Sequence, residues 1–175
     1  MNVVIYGSQY GTAKEYADEL ARRTGMEERS WQEITSLDGY DTIVYIGALY
    51  AGGVLGMKKT FQAMQDCMGK NIVLATVGLA DPKDAENVKN IRAHMKQQLP
   101  ECVYRNAHIV HLRGGIDYSG LNLKHKAMMG LLYRKATHLP EEKKTAEVKA
   151  MIETYGRKVD FVEPDSLNEI IALIK

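Results

Sequence analysis

The chain is short of the residues that organise small stapled or metal-built folds. Its 175 residues include two Cys and four Pro. Cys67 and Cys102 fall in no CxxC or ligand-like pattern, which argues against a disulfide framework or a metal site, and both read as packed thiols. No apolar run approaches the roughly 20 residues that a membrane span requires. The first residues show no basic stretch, no long apolar core and no small-residue cleavage site, so the expectation is a soluble protein kept in the cytoplasm. Charge of one sign is lacking as well, since the net charge is +1. That balance is uneven: residues 113–160 carry 10 Lys/Arg against 6 Asp/Glu, and residues 1–112 carry 12 against 13. A mildly basic stretch favours an anionic partner. No basic-aromatic stripe or recognised motif accompanies it, so nucleic acid is not expected. Two phosphate fingerprints are also missing. There is no GxGxxG for a dinucleotide and no GxxxxGK[ST] to place a lysine on a nucleoside triphosphate.

What is present is an alternation. Four β-branched runs, Asn2 to Tyr6, Thr42 to Ala48, Asn71 to Val77 and His108 to Leu112, read as strands covered on both faces. A weaker strand from Arg29 to Ile34 would form an edge. Between them, helical stripes recur at Ala13, Tyr16, Ala17, Leu20 and Ala21, then at Met57, Phe61, Met64 and Met68, then at Val88, Ile91, Met95 and Leu99. Ser166 and Glu169 form a capping box that opens a terminal helix with Leu167, Ile170, Ile171 and Ile174 inside. Strand-helix alternation is the signature of a doubly wound α/β domain with a five-stranded parallel sheet. A single domain over residues 1–175 is expected. Residues 116–160 interrupt the rhythm and read as a helical insertion after the last strand, with one helix near Leu121 to Tyr133 and another bearing Val148, Met151, Ile152 and Tyr155.

The turn behind the first strand, GSQYGTA, carries the chemistry. In open α/β sheets ligands bind beyond the carboxyl ends of the strands, where the first helix presents unpaired N–H groups. Gly7 and Gly11 let the backbone curl, Ser8 and Thr12 offer hydroxyls, and Gln9 offers an amide. No charged residue precedes Lys14. A phosphate monoester held by hydroxyl and backbone donors fits this turn. A phosphotransfer receiver domain shares the topology but needs acidic residues after its first and third strands, where this chain has Gly7, Ser8, Ala48 and Leu49.

GSQYGTAKEYADEL resembles the phosphate loop of the flavodoxin superfamily, and is especially similar to that of diflavin reductase FMN domains. The resemblance implies a flavodoxin-like fold, FMN as cofactor, and Ser8, Gln9, Tyr10, Gly11, Thr12 and Ala13 around its phosphate. Tyr10 replaces the family's threonine. GALYAGGVLG, after the next strand, corresponds to a loop that lies along the flavin ring, implicating Ala48, Leu49, Tyr50, Ala51, Gly52 and Gly53. Tyr50 is placed to stack on the ring, and Gly52 or Gly53 to supply a mobile peptide beside it. VGLADP resembles the other ring-flanking loop, with Gly78, Leu79, Ala80 and Asp81, and lacks its customary aromatic.

LRGGIDYSGLNLKHKAMMGLLYRK is similar to the basic, Met-rich insertion of the flavodoxin-like, menaquinone-dependent protoporphyrinogen dehydrogenases. Two functions stay open on this basis. One is an FMN-binding redox protein that exchanges electrons with a partner protein; the alternative is a dehydrogenase-like enzyme that oxidises a small-molecule substrate and reduces a quinone. No catalytic acid, base or nucleophile is assigned. The Met128 to Tyr133 stretch leaves room for peripheral membrane contact or for packing on the domain. Arg113, Lys124, Lys126, Arg134 and Lys135 read as an anion-attracting or simply solvated face. His108 and His111 read as sheet histidines, and His125 and His138 as solvated ones with a proton-transfer role open to either.

Overall fold

The structure, a computed structural model, describes residues 1–50 and 52–175. Five parallel strands form the central sheet: β1 (Asn2–Gly7), β2 (Glu27–Ser30), β3 (Thr42–Tyr50), β5 (Asn71–Gly78) and β6 (His108–Arg113), in the order β2-β1-β3-β5-β6. The short β4 (Gly53–Val54) folds back antiparallel on β3. The expected architecture is the one observed. The sheet reads so plainly because its interior strands are apolar on both faces. Val3, Val4, Ile5, Ile43, Val44, Ile46, Ile72, Val73 and Leu74 are all fully buried, each side chain stabilising the fold by about 1.5–3 kcal/mol at most. Alternate residues feed two cores, one under each helical layer.

Helices α1 (Thr12–Thr24), α2 (Met57–Phe61), α3 (Ala85–Gln98), α4 (Glu101–Asn106) and α7 (Leu167–Ile174) cover the two faces. Three local expectations are corrected. The edge strand begins earlier and stops at Ser30, because Ser30 and Glu33 form a reciprocal capping box that winds Trp31–Glu33 into a 3-10 turn. Ser166 forms no such box: it is already helical, and its hydroxyl donates to the Glu163 carbonyl. Met68 is 87% exposed, because α2 ends after Phe61 and the helical spacing lapses. Cys67 and Cys102 are packed thiols, and their sulfurs meet at 2.6 Å. Burial and the neighbouring thiol push Cys67 up to about 12.

The strand register levels the carboxyl ends, pairing Gly7 with Gly47, Ala48 with Val77, and Gly78 with Arg113. The loops that follow β1, β3 and β5 therefore converge. The insertion rises beside them, framed by β7 (Gly115–Asp117) and β8 (Lys158–Asp160), an antiparallel ribbon absent from the sequence-based expectation. Gly115 is required there, since a Cβ would lie 2.4 Å from the Val159 carbonyl oxygen. Within the ribbon's span sit α5 (Leu123–Thr137) and α6 (Ala146–Thr154), around a small core of Ile116, Tyr118 and Met129.

Candidate functional site

The first loop is built on close backbone approach. At Gly7 a Cβ would come within 2.2 Å of the Leu55 carbonyl oxygen, so glycine alone lets the second loop lie against the end of β1. Ser8 Oγ accepts from the Gly11 N–H at 3.1 Å, curling the chain. Gly11 then takes φ 103° and starts α1, its carbonyl accepting from Glu15 N–H at 2.9 Å. Among the described residues, the N–H groups of Gln9, Tyr10, Thr12, Ala13 and Lys14 meet no intramolecular acceptor. They form a bed of donors at the positive end of a helix. The Thr12 hydroxyl lies against Gly114, where a Cβ would approach it to 2.8 Å. Lys14 turns away to pair with Asp18 and Glu28.

The second loop is more rigid than expected. Tyr50 pairs with Gly53, Leu55 N–H donates to the Ala48 carbonyl, and Val54 N–H donates to Gln98 Oε1 at 2.9 Å. A Cβ on Gly53 would lie 2.2 Å from Gln98 Nε2. Gly53 is thus held by the pairing with β3 and by the Gln98 side chain at the end of α3, which leaves Gly52 as the less constrained of the two glycines read as a mobile peptide. Gly52 is exposed, with φ 80° and open space around it. Ala51 lies outside the described residues.

In the third loop, Leu79 N–H and Ala80 N–H point the same way. Both donate to the Glu147 carboxylate, at 2.7 and 3.0 Å. Gly78 admits that carboxylate, since a Cβ there would lie 2.9 Å from Glu147 Oε2 and 2.7 Å from Leu49 Cδ1. Asp81 is exposed, and its side chain accepts from Lys83 N–H in the turn leading to α3. It does not join the other predicted residues.

The insertion touches all three loops. Gln9 Nε2 donates to His125 Nε2 at 2.8 Å, and the Tyr10 ring meets the same imidazole edge-on at 5.7 Å. The Tyr50 hydroxyl donates to Met128 Sδ at 3.2 Å. Tyr10 packs with the insertion's small core, and its hydroxyl, like that of Tyr118, is buried and meets no partner among the described residues. Burial, reinforced by Tyr50, raises Tyr10 above the ordinary phenol value; burial also pushes Tyr118 up to about 12. Both stay protonated donors at neutral pH.

Other expectations are settled by contacts. Arg113 is no free anion attractor: its Nε donates to the Leu79 carbonyl at 2.9 Å, and its guanidinium lies 3.7 Å from the centre of the Phe161 ring. It braces the third loop. His125 is half-buried against the first loop, a correction to its reading as solvated. His111 is a sheet histidine, with Nδ1 2.7 Å from Thr76 Oγ1, and burial followed by Arg92 lowers it to about 4. Met129 is buried while Leu131 and Leu132 are exposed, so the Met-rich stretch packs on one side and faces solvent on the other.

His125, Glu147, Gln98 and Gly114 were not singled out as site residues from the sequence. His125 and Glu147 stand in the first turns of α5 and α6, behind the capping residues Asn122 and Thr145. In sequence they look like ordinary occupants of a helix start, where acids are common.

A donor-rich turn at the carboxyl edge of an open parallel sheet, with two more loops converging on it, stands where doubly wound α/β proteins place their ligands. A family model described as a flavodoxin domain matches residues 3–143, and the chain belongs to that family. No curated protein matches the chain. Among solved structures it is similar to a mutant flavodoxin from Pseudomonas aeruginosa, with 18% identity over 78% of this chain and 97% of that one and a TM-score of 0.41. A mutant flavodoxin from Fusobacterium nucleatum bound to flavin mononucleotide shows 13% identity over 69% and 71%, with a TM-score of 0.45. A flavoprotein in complex with FMN from Lactobacillus acidophilus shows 10% identity over 64% and 91%, with a TM-score of 0.39. Family membership rests on the match over residues 3–143 and not on these likenesses. Among the described residues no helix is long and apolar enough to cross a membrane.

Proposed function

We propose that the chain binds FMN at the junction of its three loops and passes electrons through it, as one domain of 175 residues in the cytoplasm. The observation that carries this reading is the first loop: five N–H groups without an acceptor among the described residues and a threonine hydroxyl, with Lys14 turned aside. That donor set fits a phosphate dianion, which needs acceptors satisfied on three oxygens and tolerates no carboxylate beside it. Ser8, Gln9, Tyr10, Gly11, Thr12 and Ala13 would hold the phosphate. Leu49, Tyr50 and Gly52 would flank the ring from one side, and Gly78, Leu79 and Ala80 from the other. When bound, the flavin supplies the electron chemistry. The protein contributes capture, orientation and exclusion of water. The test is a fluorescence titration with FMN. Thr12→Ala is expected to weaken binding by about 1.5–3 kcal/mol, the worth of a hydrogen bond to a charged group; unchanged affinity contradicts the assignment.

A finer reading, an enzyme resembling the protoporphyrinogen dehydrogenases that reduces a quinone, draws support from α5. Leu123 and Leu131 are 85% and 69% exposed on a helix with Lys124, Lys126, Arg134 and Lys135 and no acidic residue. Such a face suits a redox partner, an apolar quinone or an anionic membrane surface. Steady-state assays with a reduced porphyrin and a quinone decide it: turnover supports the enzyme, whereas electron exchange with proteins alone supports the carrier.

A further inference from the structure

We propose that Glu147 is an internal competitor for the cofactor's ring, so that the first turn of α6 must leave the third loop before FMN is fully seated. The inference rests on the FMN reading above. Both oxygens of this carboxylate are engaged by consecutive backbone donors, Leu79 N–H at 2.7 Å and Ala80 N–H at 3.0 Å. Hydrogen bonds to an ionised acceptor are among the stronger ones, and a matched pair of them fixes geometry as well. Gly78 is shaped for this guest: a Cβ would lie 2.9 and 3.2 Å from the two carboxylate oxygens. Lys144 and Lys149, on either side in sequence, pair with Glu141 instead. The Glu147 charge is therefore met by the loop's N–H groups rather than by a cation.

Those same donors follow directly on the carboxyl end of β5, where the Gly78 position lies beside Leu49 of the second loop. A flavin ring placed along these loops presents carbonyl oxygens, which are acceptors like the carboxylate they would replace. One pair of N–H groups cannot serve both acceptors in full. The competing element has only a small core of its own. Among the described residues the insertion buries the apolar side chains of Ile116, Tyr118, Met129 and Ala136, and it reaches the first two loops through Gln9–His125, Tyr10–His125 and Tyr50–Met128. Glu147 lies beyond residues 3–143, which match the family model.

The full-length protein is titrated with FMN by fluorescence quenching as wild type, Glu147→Gln and Glu147→Ala. Amide exchange of Leu79 and Ala80 is followed in the cofactor-free proteins. Removing a competitor raises the binding-competent fraction, so Glu147→Ala is expected to tighten FMN binding about tenfold or more. Glu147→Gln, with one carbonyl for two donors, falls between. Exchange at Leu79 and Ala80 accelerates in the same order, while the melting temperatures stay close to wild type. Equal or weaker FMN affinity in folded Glu147→Ala overturns the inference and leaves the FMN reading standing. Failure of wild type and both variants to bind FMN overturns the FMN reading itself, and this inference falls with it.

Discussion

The sheet and the insertion are held together by different physics. In the sheet, interior strands are buried on both faces, and their side chains fill two continuous cores. In the insertion, the buried cluster of Ile116, Tyr118 and Met129 is small, and among the described residues the hydroxyls of Tyr118 and of Tyr10 beside it meet no hydrogen-bond partner. An unsatisfied buried hydroxyl costs about 1–3 kcal/mol, so this packing is not optimised for stability. The contrast teaches where motion is cheap. The sheet fixes the loop ends to within a register, and the insertion rests on those loops through polar contacts and the packing of Tyr10 and Leu79 on its small core. On the proposed FMN reading, the site then has the sheet as its floor and the insertion as its cover.

The contrast can be broken most forcefully by truncating one core residue in each region. Ile46→Ala in the sheet is expected to lose about 2–5 kcal/mol in the global unfolding transition. Met129→Ala should cost below about 1 kcal/mol there and act through local opening. Denaturant melts with matched m-values check the pair, and equal losses would make the insertion an integral part of the core. Glycine substitutions sharpen the same comparison. Gly7→Ala drives a Cβ into the Leu55 carbonyl, 2.2 Å away, and should cost about 1–3 kcal/mol. Gly120→Ala in the insertion meets nothing within 4 Å and should stay within about 0.5 kcal/mol.

A pH dependence belongs to the sheet as well. Arg92 reaches His111 Nε2, and Nδ1 lies beside Thr76, so the neutral imidazole with its proton on Nδ1 satisfies both contacts. Burial, then Arg92, lowers His111 to about 4. The unfolded chain therefore takes up this proton first, and stability falls as pH drops from about 6.5 toward 4. With discounting for partial exposure the loss is on the order of 1 kcal/mol. His111→Gln should flatten the thermal melting profile across that window, whereas an unchanged slope would assign the dependence to other groups.

The sheet was legible because burial on both faces writes continuous β-branched runs, and Val3 to Ile5 or Ile72 to Leu74 admit few other readings. The first loop was legible because its glycines and hydroxyls must lie in one short turn. The edge strand was misplaced because Glu27 to Ser30 is polar, and the capping box at Ser30 and Glu33 carries the same letters as an ordinary turn. The cover over the site was hidden for a different reason. Glu147, His125 and Gln98 act through distance in space, across separations that no local spacing encodes, and each occupies a position that its own helix would accept for unrelated reasons.

On the proposed reading, FMN binds the three converging loops and lifts the insertion from them. Hydrogen exchange of the full chain with and without FMN tests it most directly. The predicted result is slower exchange at residues 8–13 together with faster exchange in the first turns of α5 and α6. Exchange that is identical with and without saturating FMN, or that slows only at sites away from the three loops, would contradict it.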